Sequence, residues 1–150
     1  MNIGSSSKYP SGALSNFAPH SFIIDDVVCA SMEGFLQSLK FANPEMQQHV
    51  CGLVGIKAKS KGRKKRWQVT QTLYWRSEPI ARKSNAYQKL LDRAYNELFK
   101  NTGFRNAIEA AAKVGASFTH SIGKNKEEDT VLTEAEFCSR LTKLKDYNEC

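Results

Sequence analysis

The chain has 150 residues, 41% of them hydrophobic and 25% charged, a size and balance that fit a soluble globular protein with one real core. A net charge of +7 and a pI near 9.3 favour phosphate-bearing partners such as nucleotides or nucleic acid, or simply describe a basic, well-solvated surface. No run approaches the roughly 18–20 apolar residues of a membrane span, and MNIGSSSKYPSG lacks the apolar stretch of a signal peptide.

Four cysteines, Cys29, Cys51, Cys138 and Cys150, are scattered without a C-x-x-C pair, which argues against a zinc site and for reduced thiols in a cytoplasm. No internal repeat or linker divides the sequence, so residues 1–150 are read as a single domain whose Ser/Gly/Pro-rich start, 1–12, is a flexible N-terminal arm. FIIDDVVCA has two short β-rich halves around Asp25-Asp26 and reads as a hairpin or two short strands. Ser31 is a plausible N-cap for a helix through SMEGFLQSLKF, with Glu33 in its first turn, where a carboxylate is favoured. Asn43-Pro44 starts a second, short helix that ends near Gly52 or Gly55.

Seven of the ten residues from Lys57 to Arg66 are basic, which reads as a solvated face or a flexible loop. TLYWRSEPIARKS predicts a hairpin turning near Ser77-Glu78-Pro79. Ser84 caps the strongest helix, where Tyr87, Leu90, Leu91, Ala94, Tyr95, Leu98 and Phe99 form an unbroken apolar face. Thr102-Gly103 separates it from a helix over 104–113. GASFTHS is extended, GKNKEED is a charged loop, and the Thr133-Glu134-Ala135-Glu136 capping box opens a last helix to about Lys145. The fold class is α+β, predominantly helical with a small antiparallel β element.

The polar residues of SMEGFLQSLKF are the first functional candidates. At about 100° per residue, Glu33, Gln37 and Lys40 fall within roughly 60° of one another. Leu36 flanks this stripe on one side and Phe41 on the other, and the remaining arc holds the small residues Gly34, Ser38 and Ala42. A narrow polar stripe between bulky apolar residues suits the wall of a pocket, and solvated side chains would give the same spacing. Asn16-Phe17, in GALSNFAPHSF, either organises its own turn or offers its amide to a ligand. Trp67, Tyr74 and Trp75 follow the basic run, and cations with stacking rings suit nucleotides and single strands. His20 and His49 read as surface residues, and His120, in SFTHSIG, as a satisfied histidine or a site residue. Neither a P-loop nor a dinucleotide fingerprint is present, no nucleophile triad stands out, and no ligand-like spacing points to a metal.

LSNFAP, a strand pair, SMEGFLQSLKF, and a basic stretch leading to Trp67 together resemble the NADAR family of N-glycosidases. Ser15-Asn16-Phe17, Ser31, Glu33, Gln37, Lys40 and Phe41 match that family's pattern, and LYW…IARKSxxY, which contains Tyr87, and THSIGK resemble one of its branches. The likeness runs from about Gly12 to about Leu144. It implies a YbiA-like fold and hydrolysis of an N-glycosidic bond at a ribose C1′, without metal or organic cofactor. The implied substrates are ribosylated pyrimidine intermediates of riboflavin synthesis or ADP-ribose attached to guanine in DNA. Glu33 carries over as the catalytic carboxylate, with Ser15, Asn16, Phe17, Gln37, Lys40, Trp67, Tyr87, His120 and Asp129 as substrate-binding candidates, Asp129 replacing an acidic residue of the family's last loop. Departures at Cys29-Ala30, Glu33-Gly34 and KNKEEDTVL turn the expectation away from the riboflavin intermediates. From another class, a non-catalytic binder of ADP-ribose or nucleic acid would use the Lys57–Arg66 run, and DNA is an expected partner of the same basic surface. A purely structural protein would have no pocket around Glu33.

Overall fold

The computed structural model describes residues 1–149, and Cys150 lies outside the described residues. The chain opens with a single helical turn, α1 (Ser11–Leu14), followed by the hairpin β1 (Phe22–Ile24) and β2 (Val27–Cys29), with Phe22 opposite Cys29. Asp25 and Asp26 both take positive φ, the two-residue turn whose twist matches a hairpin. Next come α2 (Met32–Ser38), α3 (Pro44–Cys51) and α4 (Gly55–Arg63), then a short 3-10 turn at Trp67–Val69. A second hairpin, β3 (Thr72–Trp75) and β4 (Glu78–Ala81), leads to α5 (Asn85–Leu98) and α6 (Thr102–Lys113). After a 3-10 turn at Glu127–Asp129 the chain closes with α7 (Glu134–Glu149). The fold is α+β and predominantly helical, with two separate antiparallel hairpins as its only sheets among the described residues.

The expected caps form where the sequence put them. The Ser31, Asn43 and Ser84 side chains accept from the backbone N–H of Gly34, Met46 and Tyr87, each three residues on. Thr133 and Glu136 exchange the two bonds of a capping box. The whole apolar face of α5 is buried, with α1, β1, α2, α6 and α7 contributing to the same core. No helix among the described residues is long and apolar enough to cross a membrane. The Cys29 and Cys51 thiols are free and buried, and Cys138 is free and half-buried.

Several boundaries differ from expectation. The loose arm over 1–12 is instead pinned: Ile3 is fully buried, and its N–H donates to the Thr119 carbonyl beside a parallel bridge between Asn2 and Thr119. The basic run is a helix as far as Arg63, because Ala58 and Gly62 pack inward and leave the charges outside. The second hairpin turns at Arg76-Ser77, both at positive φ, so Glu78 and Pro79 belong to β4, where an exposed strand tolerates proline. Asn101 caps α6, which places Thr102 and Gly103 inside its first turn. The last helix continues to Glu149. His20 is half-buried, with Nε2 2.8 Å from the Ala13 carbonyl and its ring edge-on to Phe104, whereas His49 is exposed as expected.

The helix predicted over 31–41 stops at Ser38, with Lys40 and Phe41 in the turn that follows. All seven residues of α2 are buried, because α3, α4 and β2 enclose it. Two glycines permit this. A Cβ on Gly34 would lie 2.5 Å from the Leu53 carbonyl oxygen, and one on Gly62 would lie 1.8 Å from Gln37 Oε1. Alanine in a helix normally gains stability over glycine. At Gly34 the contact is with backbone, so the clash decides the sign. Gly34→Ala is expected to destabilise the fold by about 1–3 kcal/mol, as overpacked cores do. Denaturant unfolding of the variant checks this, and an unchanged or higher midpoint would contradict it.

Candidate active site

Glu33 sits on the first turn of α2, where its N–H donates to the Asn16 carbonyl at 3.0 Å. Its side chain is 9% exposed. One carboxylate oxygen, Oε1, accepts from Gln37 Nε2 at 3.1 Å, one helical turn on. Asn16 is held in turn by Tyr95, whose fully buried hydroxyl donates to Asn16 Oδ1 at 2.9 Å. That bond fixes the orientation of the Asn16 amide and leaves its N–H groups available to the cavity. Ser15 Oγ accepts from the Phe17 N–H, tightening the same turn.

These groups line a cavity of about 420 Å³. Lys40, Lys59, Arg63, Lys65 and Lys124 surround it, against two carboxylates, Glu33 and Asp129. Lys59 lies over the Phe17 ring, 5.9 Å from its centroid. The segment from Thr130 to Thr133 and the Phe137 ring form the far wall. Arg82, fully buried, ties that wall down: its Nε donates to the Thr130 carbonyl, and its two terminal nitrogens donate to the Glu136 carboxylate at 3.1 and 2.6 Å. Burial works against the Glu136 charge, and the bonds from Arg82, Gln88 and the Thr133 N–H outweigh it, holding that carboxyl below its ordinary pKa.

Glu33 has the opposite balance. Burial raises its pKa, and the Gln37 bond with the charges of Lys59 and Lys40 offsets only part of that rise. The Lys40 ammonium reaches the Gly62 carbonyl at 3.4 Å and favours the Glu33 anion through charge alone. Burial lowers the Lys40 pKa to about 8, with Glu33 opposing that shift. Gln37 Oε1 is buried and has no hydrogen-bond partner among the described residues.

Of the residues singled out from sequence, the structure gathers Ser15, Asn16, Phe17, Glu33, Gln37, Lys40, Trp67, His120 and Asp129 around this one cavity. Trp67 is 5% exposed, so it is chiefly a core residue with an edge at the rim. Asp129 is exposed, at the end of the 3-10 turn on the facing loop. Tyr87 does not reach the cavity. It is fully buried beneath Arg82, and its hydroxyl donates to the Val131 carbonyl, so it supports the wall from behind. Lys59, Arg63, Lys65 and Lys124 were not singled out as individual residues. Lys59 and Arg63 are spaced i, i+4, a signal that becomes readable only once the basic run is assigned to a helix.

A family model described as bacteriophage protein GP30.3 matches residues 8–146. A relative in Enterobacteria phage T4, an uncharacterized 17.1 kDa protein of the Gp30–rIII intergenic region, is 41% identical over 149 residues, 97% of each chain. The NMR structure of the E. coli protein YbiA matches with a TM-score of 0.62 over 99% of this chain and 84% of that one, at 17% identity, which shows a shared fold. With a family model that spans nearly its whole length and a relative alike from end to end, the chain belongs to the bacteriophage protein GP30.3 family.

Proposed function

We propose that this protein is an N-glycosidase of NADAR type that hydrolyses the C1′–N bond of a ribosyl or ADP-ribosyl adduct, with ADP-ribose on guanine, free or in DNA, as the favoured substrate. One observation carries the reading: a carboxylate nine-tenths buried at the floor of a cavity whose lining holds five cations and one other carboxylate, the exposed Asp129. The YbiA-like fold and the Ser15-Asn16-Phe17 and Glu33/Gln37/Lys40 pattern support it.

The chemistry follows from the charges. As the C1′–N bond breaks, its electron pair leaves on nitrogen and positive charge develops on the ribose. A carboxylate beside C1′ stabilises that charge more strongly in a water-poor site than in bulk solvent. Water adds to C1′ and gives up a proton, and the departing nitrogen takes one up. Gln37 Oε1 is packed against Gly62, so Gln37 serves the site through the bond its Nε2 makes to Glu33. The cations suit phosphates, and Phe17 suits a base or ribose face. A binder without turnover would use the same rim; it predicts affinity that falls steeply with salt and no released base.

Glu33→Gln is expected to lower kcat on ADP-ribosyl-guanine by roughly 10²–10³-fold or more while substrate still binds. Base release followed by chromatography checks this, with ribosylaminopyrimidines run beside it. Undiminished hydrolysis by the folded variant removes Glu33 from the role.

The pH profile has a defined shape. Glu33 works ionised, so activity rises as pH increases through a value above the ordinary 4.5 of a glutamate. Lys40 binds phosphate as the ammonium, which is lost as pH rises through about 8, so KM climbs above that point. Lys40→Arg, whose charge does not titrate there, is expected to move the alkaline limb of KM upward. A KM flat from pH 7 to 10 in the wild type contradicts the assignment.

Stability gives an independent reading of the same carboxylate. A folded-state pKa above the unfolded one leaves stability unaffected below about 4.5 and lowers it progressively as pH rises toward the folded value. Glutamine at position 33 keeps the acceptor for Gln37 without this penalty. Glu33→Gln is therefore expected to melt higher than wild type at neutral pH, by about 2–4 °C for each kcal/mol relieved. The gap should close in acid; a variant that melts lower at pH 7 and equally at pH 4 would show that the charge is not strained by burial.

A further inference from the structure

Resting on the N-glycosidase reading, we infer that His120 is the general base of this site, taking the proton of the attacking water on its Nε2. The inference stands on how the imidazole is held. Its Nδ1 lies 2.7 Å from the Ile3 carbonyl oxygen, an atom that can only accept, so Nδ1 carries the ring proton. In the neutral ring Nε2 is then the unprotonated nitrogen, and no protein group among the described residues hydrogen-bonds to it.

The ring is also fixed on its other sides. Phe137 meets it edge-on at 5.2 Å. Gly123 lies against the Cδ2 edge so closely that a Cβ there would be 2.7 Å away. The His120 N–H donates to the Glu134 carboxylate at 3.1 Å, which fixes the backbone beneath the ring. A carbonyl, an aromatic edge and a glycine thus confine a half-buried imidazole that lines the same cavity as Glu33. A base needs this arrangement: one nitrogen anchored to set the tautomer, the other left for the reaction.

The division of labour follows from charge. Glu33 is most useful as an anion while the ribose carries positive charge. If it also took the water's proton it would become neutral at that moment. A separate neutral base avoids this conflict. In the step, the water oxygen bonds to C1′ and one of its protons passes to His120 Nε2. The C1′–N electron pair stays with the departing nitrogen, which takes up a proton from solvent, and His120 later returns its own proton to solvent. The products are the ribosyl alcohol and the free base.

The competing role for His120 is purely mechanical, a staple holding the Ile3 segment to the cavity wall. Two variants separate the possibilities. His120→Asn places a side-chain N–H where Nδ1–H was and so keeps the donor to Ile3 while deleting Nε2. His120→Ala leaves a space that added imidazole can enter. On ADP-ribosyl-guanine, His120→Asn is expected to lose about 10²–10⁴-fold in kcat with KM and melting temperature near wild type. Millimolar imidazole is expected to restore part of the kcat of His120→Ala, and ring ¹⁵N shifts of the wild type to show Nε2 unprotonated. Wild-type kcat in His120→Asn, or a loss in both variants that follows the melting temperature and is not rescued by imidazole, overturns the assignment. A wild type that turns over and a dead Glu33→Gln variant beside a fully active His120→Asn would sink this inference alone, whereas a wild type inactive on every adduct sinks the N-glycosidase reading and this one with it.

Discussion

An anionic side chain taken out of water must be compensated by something, and in this protein the compensation of Glu33 is deliberately incomplete. A carboxylate with so little exposure would ordinarily be matched by an ion pair or several donors. Glu33 has one amide donor from Gln37 and the more distant charges of Lys59 and Lys40. That shortfall constrains what surrounds it. The helix that carries it is short and enclosed on every side, its closest approaches are made at Gly34 and Gly62, and its N-terminal turn is tied to Asn16, itself held by Tyr95. A site that holds strain needs rigid neighbours, and the aromatic core beneath α2 supplies them.

The opposite wall shows how the same chain treats a buried charge that has only a structural task. Arg82 is completely buried, yet its guanidinium donors reach Glu136 and the Thr130 carbonyl, its face lies over the Tyr87 ring, and Glu136 is shared with Gln88 and the Thr133 N–H. Each charge there has its partner, as a stable buried pair requires. The cavity therefore lies between one network that is satisfied and one that is not. Glu33, of the unsatisfied one, lines the open space, and that contrast is the physical ground for the proposal made above for the floor rather than the wall.

Much of the frame was readable from local rules. Ser31, Asn43, Ser84 and the Thr133/Glu136 box announce helix starts through side chains that bond their own backbone, and the Asp25-Asp26 hairpin and the apolar face of α5 follow from period and turn chemistry. The polar stripe was readable as well, but for an incomplete reason. Wheel geometry assumed a helix through Phe41, whereas the helix ends at Ser38 and Lys40 reaches the cavity from the next turn. What local rules could not reach depends on contacts distant in sequence. Nothing in IARKS distinguishes the fully buried Arg82 from the exposed Lys83 two atoms of backbone logic away; their partners lie some fifty residues later. Tyr87 shows the same limit, since its apolar spacing and its motif position gave conflicting readings and packing chose the first. The run from Lys57 read as a solvated face or a flexible loop because charge dominates its composition; it is the solvated face of α4 as far as Arg63, packed through Ala58 and Gly62, which are small enough to pass unnoticed.

The bridge between Asn2 and Thr119 has a consequence for how the molecule comes into being. Ile3 supplies the carbonyl that orients His120, so residues 117 positions apart meet in a single hydrogen-bonded cluster. Closing a loop of that length is entropically expensive and comes late relative to the local pairing of hairpins and adjacent helices. On a translating ribosome the first residues emerge long before their partners exist. The helices and hairpins that precede Thr119 can form early, but the cavity acquires its last wall only after the segment from His120 to Phe137 has been made. Competence at the site is thus a late checkpoint of assembly, reached after most of the core has already condensed.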